Sequence, residues 1–163
     1  PAEPAPPAVS WESLRLSGTW QRDSARSSDD KGLLDLMDMS FAFRQAYGLL
    51  NTLEIAQSAD TLRVSTRALI ISLDERYPTS GAAAKQSRRD LRPGACSGRA
   101  RVVPRADAAA GAAAEVKLAF EDEKAGTVTE YYYIDGAGAL VREVELALRE
   151  GGRFEGVTYY TRA

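Results

Sequence analysis

Apolar and polar residues alternate over residues 13–22, with Leu14, Leu16 and Trp20 on one parity and Arg15 and Gln21 on the other. A period of two predicts a half-buried first strand. The pattern then changes. Ser28-Asp29-Asp30-Lys31-Gly32 supplies a cap and an acidic first turn, and Leu33, Leu34, Met37, Phe41 and Ala42 follow at spacings of three and four, as a helix requires. Ser40 caps a second short helix, Phe41 to Tyr47, which Gly48 stops. Residues 28–50 therefore predict a helix-turn-helix.

From residue 51 onward, short segments rich in Val, Ile, Tyr and Thr are separated by turn residues at intervals of about ten. They predict strands at 51–57, 61–66, 68–73, 84–89, 99–103, 115–121, 127–134, 139–148 and 154–162, which with the first makes ten. Asp135-Gly136-Ala137-Gly138 and Glu150-Gly151-Gly152 are the strongest hairpin turns, because glycine tolerates the backbone angles of tight turns. The alanine-rich stretch 106–114 is too short, and too interrupted by Gly111, to hold a helix alone, and reads as an extended loop. An antiparallel meander this long must hide its edges, which closure into a barrel does. The helix pair then covers one mouth, and ten strands enclose more volume than side chains alone fill.

A length of 163 residues suits one domain, expected over 13–163 after a Pro/Ala-rich extended lead-in over 1–12. The start at Pro1 suggests a processed or trimmed N-terminus, and abundant Ala, Arg and Gly suggest an imported organellar protein, a plastid first. No apolar run approaches the roughly 20 residues of a transmembrane helix; peripheral membrane contact stays open. The net charge of -2 argues against a nucleic-acid partner. The chain has no histidine, which removes imidazole bases, histidine triads and most zinc or iron sites. Cys96, the single cysteine, can form no internal disulfide, and its flanks Gly94-Ala95 and Ser97-Gly98 read as a turn. Carboxylates such as Asp23, Glu54 and Glu145 are scattered without a motif. No catalytic residue, metal or cofactor is expected.

The order of elements resembles the calycins, specifically the intracellular lipid-binding proteins that include the fatty-acid-binding family, and more distantly the lipocalins. Gly18-Thr19-Trp20 matches the family's Gly-x-Trp opening, the helix pair over 28–50 matches its insertion, and Asn51-Thr52-Leu53-Glu54-Ile55, Leu62-Arg63-Val64-Ser65-Thr66 and Ile70-Ile71-Ser72-Leu73 look like its next three strands. Over roughly residues 13–162 the resemblance implies a mainly β fold: an antiparallel up-and-down calycin-like barrel of about ten strands, with the helix-turn-helix after the first. It also implies an interior that holds a fatty acid or retinoid. In the family, Arg-x-Tyr on the last strand helps clamp the ligand carboxylate. Here the stretch is Thr158-Tyr159-Tyr160, which keeps the tyrosine and loses the arginine. A carboxylate buried without a cation is costly, so either another arginine substitutes or the ligand is neutral.

Arg142 shares its parity with Leu140, Val144, Leu146 and Leu148, which turns it inward if the leucines point in. It is the first candidate for a polar anchor, with Arg101 second and Tyr160 beside them. Tyr131, Tyr132 and Tyr133 present rings to both faces of one strand; Tyr131 and Tyr133 are the candidate ligand contacts, with core filling as the alternative. Met37, Met39, Phe41 and Phe43 supply the apolar side of the helix pair, and Met37, Phe41 and Phe43 are candidate lid residues. The run Lys85, Arg88, Arg89, Arg92, Arg99, Arg101 and Arg105 sets seven cations against Asp90. It reads either as a solvated face or, through Arg88, Arg89 and Arg92, as a contact for an acidic protein or anionic head groups. Two functions stand at this point. One is a non-enzymatic protein holding a lipid, isoprenoid or pigment in the barrel; the other is an accessory subunit of a larger complex, using the barrel's outer face.

Overall fold

The structure, a computed structural model, describes residues 10–163. A short 3-10 helix (Glu12–Leu14) leads into strand β1 (Gly18–Asp23), and helices α1 (Lys31–Leu36) and α2 (Phe41–Tyr47) follow at once. The remaining strands are β2 (Thr52–Gln57), β3 (Thr61–Ala68), β4 (Ile71–Pro78), β5 (Ala84–Lys85), β6 (Cys96–Pro104), β7 (Ala112–Phe120), β8 (Gly126–Ile134), β9 (Leu140–Leu148) and β10 (Arg153–Arg162). All ten lie in one sheet of order β4-β3-β2-β1-β10-β9-β8-β7-β6-β5. Every neighbouring pair runs antiparallel. β1 pairs with both β2 and β10, so it joins the two ends of the chain in mid-sheet. The fold is mainly β, a nearly closed ten-stranded barrel with both helices between β1 and β2.

The two edge strands, β4 and β5, meet at a seam that has no strand ladder across it. The Gln86 side-chain amide donates across it to the Arg76 carbonyl at 2.7 Å. The ring of Tyr77 on β4 crosses onto β6 over Gly98, where a Cβ would stand 2.8 Å from Tyr77 Cε1 and 2.6 Å from Leu118 Cδ2. Glycine is required there because the ring occupies the space of a side chain.

Interior positions alternate along each strand as the pleat demands. The closed end is filled by Leu14, Leu16, Trp20, Leu62 and Tyr77, all essentially inaccessible. Trp20 donates its indole N–H to the Leu16 carbonyl at 2.9 Å, and the Arg162 guanidinium lies 4.3 Å from its ring centre, a cation–π arrangement. Among the described residues, no helix is long and apolar enough to cross a membrane.

Several element boundaries differ from those the pattern predicts. Residues 13–17 are not strand, because Arg15 takes a left-handed φ of 54° and closes the 3-10 turn. The extended lead-in expected over 1–12 lies outside the described residues as far as residue 9; by Trp11 the chain is anchored, its indole donating to the Thr79 carbonyl at 3.1 Å. Residues 68–73 contain a hairpin turn rather than a strand. Ala68 pairs with Ile71, and Leu69, with φ 48°, and Ile70 form the tip without a Gly, Asn or Pro to announce it. β5 is two residues long because the chain after it folds inward. Cys96 begins β6, paired with Phe120 and buried, instead of sitting in a turn. Of the alanine-rich stretch, Ala112–Ala114 belongs to β7, and only the part before it forms the expected loop.

Because Trp20 fills the closed end and has no polar substitute for its packing, Trp20→Ala is expected to cost about 3–5 kcal/mol of folding free energy. Urea unfolding followed by circular dichroism measures it; a loss below about 1 kcal/mol contradicts the packing role.

Candidate ligand cavity and its buried ion pairs

Beneath the helices the barrel encloses a cavity of about 150 Å³, roughly ten times what a single water needs. The sheet register assembles its polar wall. Tyr132 on β8 pairs with Arg142 on β9, which pairs with Thr158 on β10. One row away, Leu140 pairs with Tyr160, which pairs with Arg22 on β1. Residues directly opposite in an antiparallel pair share a face. Arg142, Thr158, Tyr160, Tyr132 and Arg22 therefore converge on the same space, and all five line it. Its apolar wall comes from Leu53, Phe120, Val128, Val144 and Leu146.

Glu130, on β8 and inward like Val128 and Tyr132, is fully buried. Arg142 donates from Nε to Glu130 Oε2 at 2.5 Å and also approaches it through Nη2. Arg89 donates to Glu130 Oε1 at 2.5 Å and forms a two-point pair with Glu75 of β4 at 2.7 and 2.8 Å. The Tyr77 hydroxyl donates to Glu75 at 2.8 Å, and the Tyr132 hydroxyl to Glu130 at 3.3 Å. Two carboxylates and two guanidinium groups thus form one chain across the interior, from β4 through the β5–β6 connection to β8 and β9.

Burial alone raises the Glu130 carboxyl, but the Arg142 and Arg89 charges beside it outweigh that effect and hold it down at about 2, against an ordinary 4.5. Burial, helped by the neighbouring Glu130 charge, pushes the Tyr132 hydroxyl well up. A second polar group lies beneath the lid. Tyr47 donates to Asp30 at 3.0 Å, and Arg22 sits 3.9 Å from the same carboxylate. Burial and the Asp30 charge push the Tyr47 hydroxyl up.

The lid is built by two devices. Ser40 Oγ accepts from the Phe43 amide at 3.2 Å and starts α2. Arg44 ties α2 to α1 through the Met39 carbonyl at 2.9 Å, the Leu34 carbonyl at 3.2 Å and Asp35 at 2.6 Å. Met37 and Phe43, two of the three candidate lid residues, are buried and line the cavity. Phe41 is not: it is 77% exposed, because the first residue of α2 lies on the helix face away from the barrel.

Several other predicted site residues stand elsewhere. Arg101 points outward from β6 to Glu115 at 2.8 Å, so it offers nothing to the cavity. Tyr131 and Tyr133 also lie on the outer face, where Tyr133 packs with Val141, Ala113 and Ala108 and the Arg105 guanidinium lies 4.7 Å from its ring centre. It is Tyr132 that faces in. Arg88, Arg89 and Arg92 form neither a solvated face nor a partner surface. Arg88 is paired at both ends of its guanidinium with Asp90 at 2.7 and 3.0 Å, and it also donates to the carbonyls of Glu121 and Glu123. Arg92 donates to the carbonyls of Met37 and Asp38 at the end of α1, at 2.8 and 3.2 Å. Counting charges along the run saw only Asp90, whereas the partners are contributed from β4, β8, the β7–β8 turn and the lid. Of the residues the sequence nominated for ligand, Arg142 and Tyr160 reach the cavity. Glu130, Glu75, Tyr132, Arg22 and Tyr47 were missed. The signal for the first two was available, since Glu130 shares its parity with Val128, and Glu75 with Ile71, Leu73 and Tyr77.

The ten-stranded, nearly closed barrel with two helices between β1 and β2 fits a calycin-like fold. Solved structures agree. Apo lipid binding protein 8 of Caenorhabditis elegans superposes with a TM-score of 0.69 at 15% identity, over 95% of this chain and 99% of that one. A structure titled REP1-NXSQ fatty acid transporter gives 0.61 at 11% identity, over 91% and 96%. Human cRBP IV gives 0.60 at 21% identity, over 91% and 98%. No family model matches the chain, and no curated protein gives a sequence match.

Removing one partner of a buried ion pair strands the other. Glu130→Gln is therefore expected to lose about 3–5 kcal/mol of stability near pH 7. The folded carboxyl is depressed below its unfolded value, so its contribution is complete above about pH 4.5 and declines as pH falls toward about 2. Urea unfolding of parent and variant at pH 7, 4 and 3 should show the gap narrowing with acidity; a gap independent of pH removes the ion pair as its cause.

Proposed function

We propose that the protein is a carrier that encloses one apolar molecule inside its barrel. The observation that carries this reading is the cavity inside the barrel beneath two short helices, with an apolar wall and convergent polar side chains, an arrangement typical of ligand sites. The names of the structural neighbours, a fatty acid transporter and a lipid binding protein, support it. The head group of the ligand lies against Tyr160 and Arg142, and its apolar portion against Phe120, Val144 and Leu146. Met37 and Phe43 cover it. The accessory-subunit alternative drew on the lost anchor arginine and on the Tyr131–Tyr133 surface, with Arg88, Arg89 and Arg92 as candidate partner contacts. Tyr133 is buried with Ala108, Ala113 and Val141, and the three arginines are engaged internally.

A neutral dye whose fluorescence reports an apolar environment tests the reading directly. The parent is expected to take up about one equivalent and to release it to a long-chain lipid. Val144→Trp, which fills the cavity, is expected to weaken uptake at least about tenfold, or 1.4 kcal/mol, with an unchanged circular dichroism spectrum. Equal uptake by both proteins places the dye outside the cavity and defeats the proposal.

A further inference from the structure

Resting on that reading, we infer that the cavity selects an uncharged ligand bearing a hydroxyl or carbonyl oxygen and rejects carboxylates, because Glu130 already occupies the place of the anion. Four guanidinium groups line the cavity, those of Arg22, Arg88, Arg89 and Arg142. Three carboxylates line it as well, Asp30, Glu75 and Asp90, and the fourth, Glu130, lies directly behind Arg89 and Arg142. Each cation faces a resident anion: Arg22 faces Asp30, Arg88 faces Asp90, and the other two share Glu75 and Glu130. The wall is neutral before any ligand enters.

A ligand carboxylate placed against Arg142 would bring a further negative charge beside Glu130. No unmatched cation repays its desolvation, and the like charges repel. An uncharged oxygen meets neither cost. It also finds partners. Among the described residues the hydroxyls of Tyr160 and Thr158 and Nη1 of Arg142 make no side-chain hydrogen bond within the protein, and all three residues line the cavity, while the other nitrogens of Arg142 hold Glu130. Arg22, on the same wall, has a buried Nε without a partner, and buried polar groups are normally paired. A hydroxyl, donating to one of these oxygens and accepting from Nη1, satisfies them together.

The test compares a long-chain alcohol with the carboxylic acid of the same chain length at pH 7.5, each displacing the neutral dye from the parent protein. The alcohol is expected to bind at least about tenfold more tightly. Equal affinities, or preference for the acid, overturn the inference while leaving the carrier reading intact. Failure of the dye and both lipids to enter defeats both. Folded Glu130→Gln should gain affinity for the acid and lose the preference; an unaltered preference removes Glu130 as its source. Thr158→Arg adds an unmatched cation beside Arg142, and it should raise acid affinity by a similar factor. No rise there means that charge balance does not set the selectivity.

Discussion

Charges buried inside the barrel must neutralise one another, and much of this structure follows from how they do so. A carboxylate or guanidinium taken out of water costs several kcal/mol unless its partner and its remaining hydrogen bonds are in place. Glu75, Arg89, Glu130 and Arg142 meet that demand only as a set drawn from four segments distant in sequence. The set spans the seam between β4 and β5, where the ladder is missing. One end of it belongs to β4 and the other to β8 and β9, so electrostatics ties together what backbone bonding leaves apart. The short β5 is a consequence. Arg89 can reach inward only if the chain leaves the sheet after Lys85, and Gln86 then bridges the gap with its side chain.

The same inward loop supports the lid. Asp90 accepts from Arg88 and Arg92 together. Burial raises its carboxyl, yet the hydrogen bonds from Arg88 and Arg92 bring it below the ordinary carboxylate value. Arg88 then fixes the β7–β8 turn through two carbonyls, and Arg92 holds the carbonyls of Met37 and Asp38 just after α1, where cations suit the negative end of the helix. Lid, turn and seam therefore share one anchor. Helices of six and seven residues are far too short to persist alone; their position over the cavity is set by Arg92, Arg44 and the packing of Phe43 and Ala46 against Ile71.

Strand count, helix placement and the Asp135 and Gly151 hairpins were legible in the chain, because period and turn chemistry are local. Asp135 illustrates this: its carboxylate accepts from the amides of Ala137 and Ala139, as a turn aspartate should. The Leu69-Ile70 tip was not legible, since two apolar residues there look like strand and only the register with β2 and β4 makes them a turn. The site divided the same way. Arg142 was found from its parity among leucines. Glu130 has an equally clear parity but was passed over, because an acid in a strand reads as solvent-facing unless its cations are known, and those cations come from other strands. The choice among Tyr131, Tyr132 and Tyr133 depended on Val128, whose inward position selects Tyr132.

The division of the tyrosines also explains how one strand serves two packing layers. Tyr133 and Tyr131 pack outside with Val141, Val157 and Tyr159, and the loop through Ala108, bridged to Asp135, closes over them. Arg105 reaches into that layer to Glu143 and Asp107, and burial together with the Glu143 charge pushes the Tyr133 hydroxyl up to about 12. This outer layer is why β7 begins with Ala112, Ala113 and Ala114. Ala113 must accept the loop and Tyr133 on one face, while Ala112 and Ala114 face the barrel core on the other. Longer side chains on either face would separate the layers. The large rings are thereby kept on β8, where Tyr132 alone turns inward to meet Glu130 and narrow the polar end of the cavity. The alanine run that reads as low complexity along the chain is, in three dimensions, the spacer that leaves room for aromatic packing on both sides of one wall.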